Sequence, residues 1–217
     1  EVLGAPVYQQ TVAYAAHFPS AHPAFLGALT RNQQQVRSAL AAHDLLVCLG
    51  ADVLRMSVHS PVDPLPEGMP VVQIGERDWE LGKNYPAEIA IGACVRETLR
   101  VLLPILRRKM SPERKALAAR RLAEFAKNNW SAKRERLAQD MLTVAGAKPM
   151  DPRWLMMTIA DALPKEAVVV EEGLTSTFSL QSFLRFRDAQ GFYGLASGGI
   201  GFAMAGAVGI SVALPNR

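Results

Sequence analysis

Cysteine is scarce in this chain: only Cys48 and Cys94 occur in 217 residues. A disulfide framework is therefore excluded, and their spacing does not suit a CxxC zinc or redox site. Both lie in apolar stretches and read as reduced core thiols of a cytoplasmic protein. Histidines number only four, and no two stand at metal-ligand spacing, so no metal site is expected within the chain. Charge of one sign is not in large excess either. The formal balance is +4, which suits an anionic ligand without demanding nucleic acid. No basic, apolar leader is visible in Glu1-Val2-Leu3-Gly4-Ala5-Pro6. That opening, and the turn-like Ala213-Leu214-Pro215-Asn216-Arg217, are those expected of a piece of a longer protein.

What is present is globular: 49% hydrophobic and 20% charged residues can bury a sizeable core. Three zones succeed one another. In residues 1–106, short apolar runs alternate with helical ones. Pro6-Val7-Tyr8 reads as a short strand and Asn32 to Ala42 as a helix. Leu45 to Gly50 and Pro70 to Gly75 read as buried strands, with Ile89-Ala90-Ile91 a weaker third. Cys94 to Leu106 is an amphipathic helix interrupted at Pro104. Buried strands separated by helices predict an α/β domain with a Rossmann-like parallel sheet.

Residues 107–150 form the second zone, a basic linker helix opening at Ser111-Pro112-Glu113 with Ser as N-cap and Pro at the first helical position. Eleven cations from Arg107 to Arg136 meet only Glu113, Glu124, Glu135 and Asp140. With few aromatics and no binding motif, the charge reads as a solvated face between domains rather than a nucleic-acid surface. Residues 151–217 read as part of a second α/β domain. Asp151 caps a helix to Leu163, Ala167 to Val170 is a buried strand, and Glu171-Glu172-Gly173 is a turn. Leu174 to Phe186 is a further helix.

No charged residue occurs from Gly191 to Pro215. That length suits a membrane span, but Gly194, Gly198, Gly199, Gly201, Gly206 and Gly209 make it only weakly apolar, and no membrane partner is expected. The spacing of Gly198-Gly199-Ile200-Gly201 is not GxGxxG. The run reads instead as a turn whose backbone approaches a ligand, leading into a helix buried on all sides.

Gly198-Gly199-Ile200-Gly201-Phe202-Ala203, with Ala205 to Gly209 and Leu214-Pro215 behind it, resembles the start of the diphosphate-binding domain of thiamine-diphosphate-dependent enzymes. The nearest likeness is to benzoylformate decarboxylase and its acetolactate-synthase-like relatives. His22-Pro23-Ala24-Phe25-Leu26-Gly27 resembles the opening loop of that family's central domain, and His43 to Ala51 its next strand. Ala167 to Thr177 resembles the first strand and turn of the diphosphate domain.

The resemblance implies a fragment of a 2-keto acid decarboxylase or carboligase that contributes one wall of the cofactor site and is inactive alone. It implies thiamine diphosphate and Mg²⁺ as cofactors, with the cofactor an electron sink as CO₂ leaves. It also implies a homodimer or homotetramer of the full-length enzyme. Gly198 would offer its carbonyl to the aminopyrimidine, beside Gly199, and Ile200 would be the wedge that keeps the cofactor bent. Thr175, Ser176 and Thr177 would meet the diphosphate, or serve only as helix caps. Leu174 stands where the relatives carry a hydroxyl, and Glu171 and Glu172 add negative charge there. His22 would be a catalytic proton carrier, although an HP step also begins turns. The alternative is a non-catalytic Rossmann-like nucleotide-binding or regulatory module, with Leu49-Gly50-Ala51-Asp52 facing the nucleotide but no phosphate loop after it.

Overall fold

The computed structural model describes residues 1–10, 14–56, 59–195 and 199–217. They separate into two compact units. One contains Ala28–Ala118; the other contains Leu3–Gly27 together with Ala119–Arg217. The class is α/β, as expected, with parallel sheets and helices in chain order.

In the first unit, α1 (Gln33–Leu40) starts where the Asn32 side chain accepts from the Gln35 N–H at 3.0 Å, a side-chain cap of the ordinary kind. Three parallel strands come next, β3 (Leu46–Leu49), β4 (Val71–Gly75) and β5 (Ile89–Gly92), in the order β3-β4-β5. The β-branched run of β4 takes the central position and buries Val71 and Ile74, as such a run should. Gln73 is buried beside them, yet its amide is satisfied: it donates to the Glu80 carbonyl at 3.1 Å and accepts from the Gly82 N–H at 2.8 Å.

Four expectations change here. β3 is not buried: as an edge strand it leaves Val47 and Leu49 exposed, as is Leu45 just before it. Among the described residues the strands are joined by loops and one 3-10 turn, Asp78–Glu80, rather than by helices. Pro104 does not interrupt α2 (Val95–Lys109), which runs through it. The carbonyl that proline leaves without a partner is tolerated because no residue of α2 is buried, so water can reach it. Cys48 and Cys94 are free thiols but half-buried rather than in the core. Burial pushes the Cys48 thiol up to about 11, so it stays protonated at neutral pH.

The basic stretch is two helices, α3 (Pro112–Asn128) and α4 (Trp130–Leu142). Ser111 caps α3, accepting from the Arg114 N–H at 3.3 Å. Asn129 ends it and caps α4, accepting from the Ala132 N–H at 2.9 Å. α3 is solvated, but α4 is not: Trp130, Arg134 and Met141 are buried. A cationic residue survives there because its Nε donates to the Phe183 carbonyl at 2.9 Å and its guanidinium pairs with Asp161.

The second unit carries a two-stranded sheet of β1 (Val7–Gln9) and β2 (Phe25–Ala28) and a parallel pair, β6 (Val169–Glu171) and β7 (Phe192–Gly194). Its core joins Met141, Met156, Met157, Leu180, Phe183, Leu184, Phe186 and Phe192. The helix expected over Leu174–Phe186 is only a 3-10 turn, Ser176–Ser179, and then α6 (Leu180–Phe183). The chain leaves the helix because Phe186 pairs with buried Ser20: the Ser20 N–H donates to the Phe186 carbonyl at 3.0 Å, and the Phe186 N–H to the Ser20 hydroxyl at 2.9 Å.

α5 (Pro152–Ala162) begins at Asp151, which accepts from the Arg153 N–H at 2.8 Å. The Arg153 side chain, then the backbone N–H groups, hold the Asp151 carboxyl down at about 2 from an ordinary 3.8. A depressed carboxylate stabilises the fold fully above its unfolded pKa and loses that contribution as pH falls through the folded one. The charge-dependent part of the stability difference between the wild type and Asp151→Ala is therefore expected to be constant above pH ~5, to shrink as pH falls, and to be lost by pH ~1. Denaturant unfolding at a series of pH values checks it; a difference undiminished at the acid end refutes it.

The last helix, α7 (Phe202–Ala213), departs most from expectation. It is not buried on all sides. None of its residues is buried, and Met204, Val208 and Val212 are exposed. Gly206 faces the sheet, where a Cβ would sit 3.6 Å from Val170 Cγ1. Among the described residues, no helix is long and apolar enough to cross a membrane.

Candidate functional site

The carboxyl ends of parallel strands are where α/β sheets bind ligands. At this end of β6 and β7, two of the segments singled out in the sequence meet. The chain leaves β6 through Glu172 and Gly173 into Thr175, Ser176 and Thr177. It leaves β7 through the glycine run into α7.

Glu172 joins them. Its Oε2 accepts from the N–H of Gly201 and from that of Ala203, both at 2.9 Å. The carboxylate thus caps the N-terminus of α7, where free N–H groups and the helix dipole favour negative charge. In the sequence Glu172 reads only as unwanted charge near a diphosphate; the fold spends that charge on the helix. No local signal marks the role, because donor and acceptor lie about thirty residues apart.

Gly201 turns the chain into α7 with φ +100°, a left-handed conformation that glycine adopts at little cost. The turn displays Ile200, which is 85% exposed and has no role in this chain's own core. Gly199 is exposed beside it. Gly198, expected to offer its carbonyl, lies outside the described residues.

On the β6 side, Thr175 and Ser176 are exposed, and Thr175 makes no side-chain cap bond. Thr177 differs: its Oγ1 is buried and has no hydrogen-bond partner among the described residues. Gly173 is packed against it so closely that a Cβ there would collide with the Thr177 side chain. A hydroxyl in that state lacks about 1–3 kcal/mol of solvation until it finds an acceptor.

His22 has other partners. Its Nδ1 accepts from the Ala24 N–H at 3.1 Å, so the neutral ring carries its proton on Nε2, which meets Glu1 Oε1 at 3.2 Å. Phe18 packs edge-on at 5.2 Å. None of these partners belongs to the glycine turn or to Thr175–Thr177. No group of three His, Cys, Asp or Glu among the described residues is arranged to hold a metal ion.

Comparison with known proteins places relatives beside this geometry. Residues 1–102 match the family "Thiamine pyrophosphate enzyme, central domain". Over all 217 residues the chain is 26% identical to benzoylformate decarboxylase of Pseudomonas aeruginosa, and it covers 37% of that protein. A solved 4-hydroxybenzoylformate decarboxylase of Rhodococcus jostii RHA1, described as thiamine diphosphate-dependent, superposes on 99% of the chain with a TM-score of 0.70 at 23% identity. Benzoylformate decarboxylase from Polynucleobacter necessarius does so with a TM-score of 0.68, also at 23% identity. The chain spans 37% and 36% of those two structures, little more than a third of the relatives it matches.

Proposed function

We propose, on the premise that this chain belongs to the thiamine-diphosphate-dependent enzymes, that it forms one wall of the cofactor site in a 2-keto acid decarboxylase or carboligase. The observation that carries this reading is Ile200. A large apolar side chain is held 85% exposed on a glycine turn, at the ligand-binding end of a parallel sheet. The fold gains nothing from that placement by itself, whereas a bound cofactor gives it a surface to press against.

The residues present fit thiamine diphosphate. Thr177 Oγ1 is a buried hydroxyl in want of an acceptor, and a diphosphate oxygen is one. The charge of Glu172 is offset by the N-terminus of α7. In this reading Gly198 and Gly199 lend backbone groups to the pyrimidine, Ile200 keeps the cofactor bent, and Thr175, Ser176 and Thr177 hold the diphosphate. When bound, the cofactor supplies an electron sink for the carbanion left as CO₂ departs. Mg²⁺ is held by residues beyond this chain. Residues 151–217 are the first part of the diphosphate-binding domain, residues 1–106 the central domain, and 107–150 the link between them. The full-length protein is a cytoplasmic homodimer or homotetramer.

The full-length protein that contains this chain is expected to release CO₂ from a 2-keto acid only when thiamine diphosphate and Mg²⁺ are supplied. The 217-residue chain alone is expected to release none. Turnover by the isolated chain, or none by the full-length protein on both aromatic and aliphatic keto acids, would overturn the proposal. Thr177→Val gives a finer test. It removes the hydroxyl and keeps the shape, so cofactor affinity should fall about tenfold or more while stability without cofactor is unchanged or higher. Calorimetric titration with thiamine diphosphate and a thermal melt read the two separately; undiminished affinity refutes the role of Thr177.

A further inference from the structure

The second unit holds another feature at the opposite end of its parallel strands. A cavity of about 140 Å³ opens beside Val169, the first residue of β6, and Gly191, which precedes β7. Because the two strands are parallel, this is the end away from Glu172 and Gly194.

The walls carry five cationic side chains, Arg134, Lys165, Arg185, Arg187 and Arg217, against two carboxylates, Asp161 and Asp188. Both carboxylates are already engaged. Arg134, whose side chain is 9% exposed, pairs with Asp161. Arg217 grips Asp188 with both terminal nitrogens, at 2.9 and 3.2 Å, and donates to the Glu166 carbonyl at 3.0 Å. Arg217 also holds the Asp188 carboxyl below its ordinary pKa, chiefly through that hydrogen bond. Arg187 gives one N–H to the Lys165 carbonyl at 3.2 Å, which neutralises no charge. Among the described residues, Lys165, Arg185 and Arg187 have no carboxylate at ion-pair distance.

Two arginines fixed by carboxylates therefore frame a concave site, and three further cations line it without an ion pair of their own, Arg187 acting on Asp188 only at longer range. Like charges gathered in a concavity repel one another and concentrate anions from solution. Guanidinium groups match tetrahedral oxyanions through paired N–H donors. The volume admits a phosphate group. We propose that this cavity binds a phosphate group, either as inorganic phosphate or as the terminal group of a small phosphate monoester. The proposed site stands apart from the cofactor site and does not depend on it.

The test uses the full-length protein at constant ionic strength, balanced with chloride because surface electrostatics respond to salt. Calorimetric titration compares inorganic phosphate with phenyl phosphate. The wild type is expected to bind at least one of them, and Lys165→Gln/Arg185→Gln to bind it about tenfold or more weakly. Both substituted residues are exposed and lie outside the two arginine–carboxylate pairs, so the variant should keep the wild-type melting temperature in chloride. Binding of inorganic phosphate alone assigns the site to the free ion; binding of phenyl phosphate as well assigns it to esters. No binding by the wild type overturns the proposal. So does equal affinity in the variant, which would mark an adventitious ion only.

Discussion

Replacing Phe192 with alanine is expected to cost the second unit about 3–5 kcal/mol, the range for deleting a buried aromatic ring. Phe192 is fully buried in β7, and its ring packs on Phe186 with 5.2 Å between centroids. Around it stand Met156, Met157, Leu180, Phe183 and Leu184, contributed by α5, α6 and the segment after α6. These side chains come from several elements and share one buried cluster with Phe192, so the loss of its ring opens a void among them. The void would persist, and the cavity term would add to the lost transfer energy. Against a total of about 5–15 kcal/mol for a domain, the loss is large. Val208→Ala, at a position 67% exposed on α7, should stay within about 0.5 kcal/mol. Urea unfolding monitored by circular dichroism compares the two. A loss below about 1 kcal/mol for Phe192→Ala would remove it from the core.

The parts of this fold legible in the sequence are those decided locally. β4 arises from a run of β-branched residues, and α3 and α5 begin at Ser111 and Asp151, whose side chains reach N–H groups two or three residues on. The parts not legible are decided by distant partners. Arg134 reads as one more solvated cation until Phe183 and Asp161, 49 and 27 residues away, supply its bonds. The helix after Thr177 stops early because Ser20, 166 residues away from Phe186, claims that backbone. The site divides in the same way. The glycine turn and Ile200 stand out as a contiguous uncharged run. The cap that Glu172 places on α7 needs the two βα turns to meet, and composition carries no trace of that meeting.

α7 is a helix whose apolar pattern exceeds the burial that the described chain provides. The pattern predicts a buried helix, yet Met204, Val208 and Val212, each four residues from the next, are exposed along one stripe. Ile200, in the turn before the helix, is exposed as well. The chain spans 37% of benzoylformate decarboxylase of Pseudomonas aeruginosa, and the apolar stripe is left over from the contacts that these residues make.

Ile200→Ala should therefore separate function from folding more sharply than any other single change. With Ile200 85% exposed, the substitution removes almost no buried surface, and the unfolding free energy of this chain should move by less than about 0.5 kcal/mol. On the proposed role of Ile200, the same change in the full-length protein would withdraw the apolar support for a bent cofactor. Misplacing a reacting group by about 1 Å can cost roughly 10²-fold in rate, so kcat for decarboxylation is expected to fall about 100-fold. Ile200→Leu and Ile200→Met keep bulk at the tip of the turn and should recover most of that loss. Ile200→Ala and Ile200→Val should rank by the volume they leave. The substrate KM should change less than kcat, because the wedge acts on the cofactor's conformation rather than on the keto acid. A residue with a merely structural part would show the reverse: altered unfolding, and activity that tracks the folded fraction. An alanine variant with wild-type kcat would refute the wedge, and with it the reason for holding an isoleucine out in solvent on a turn of glycines.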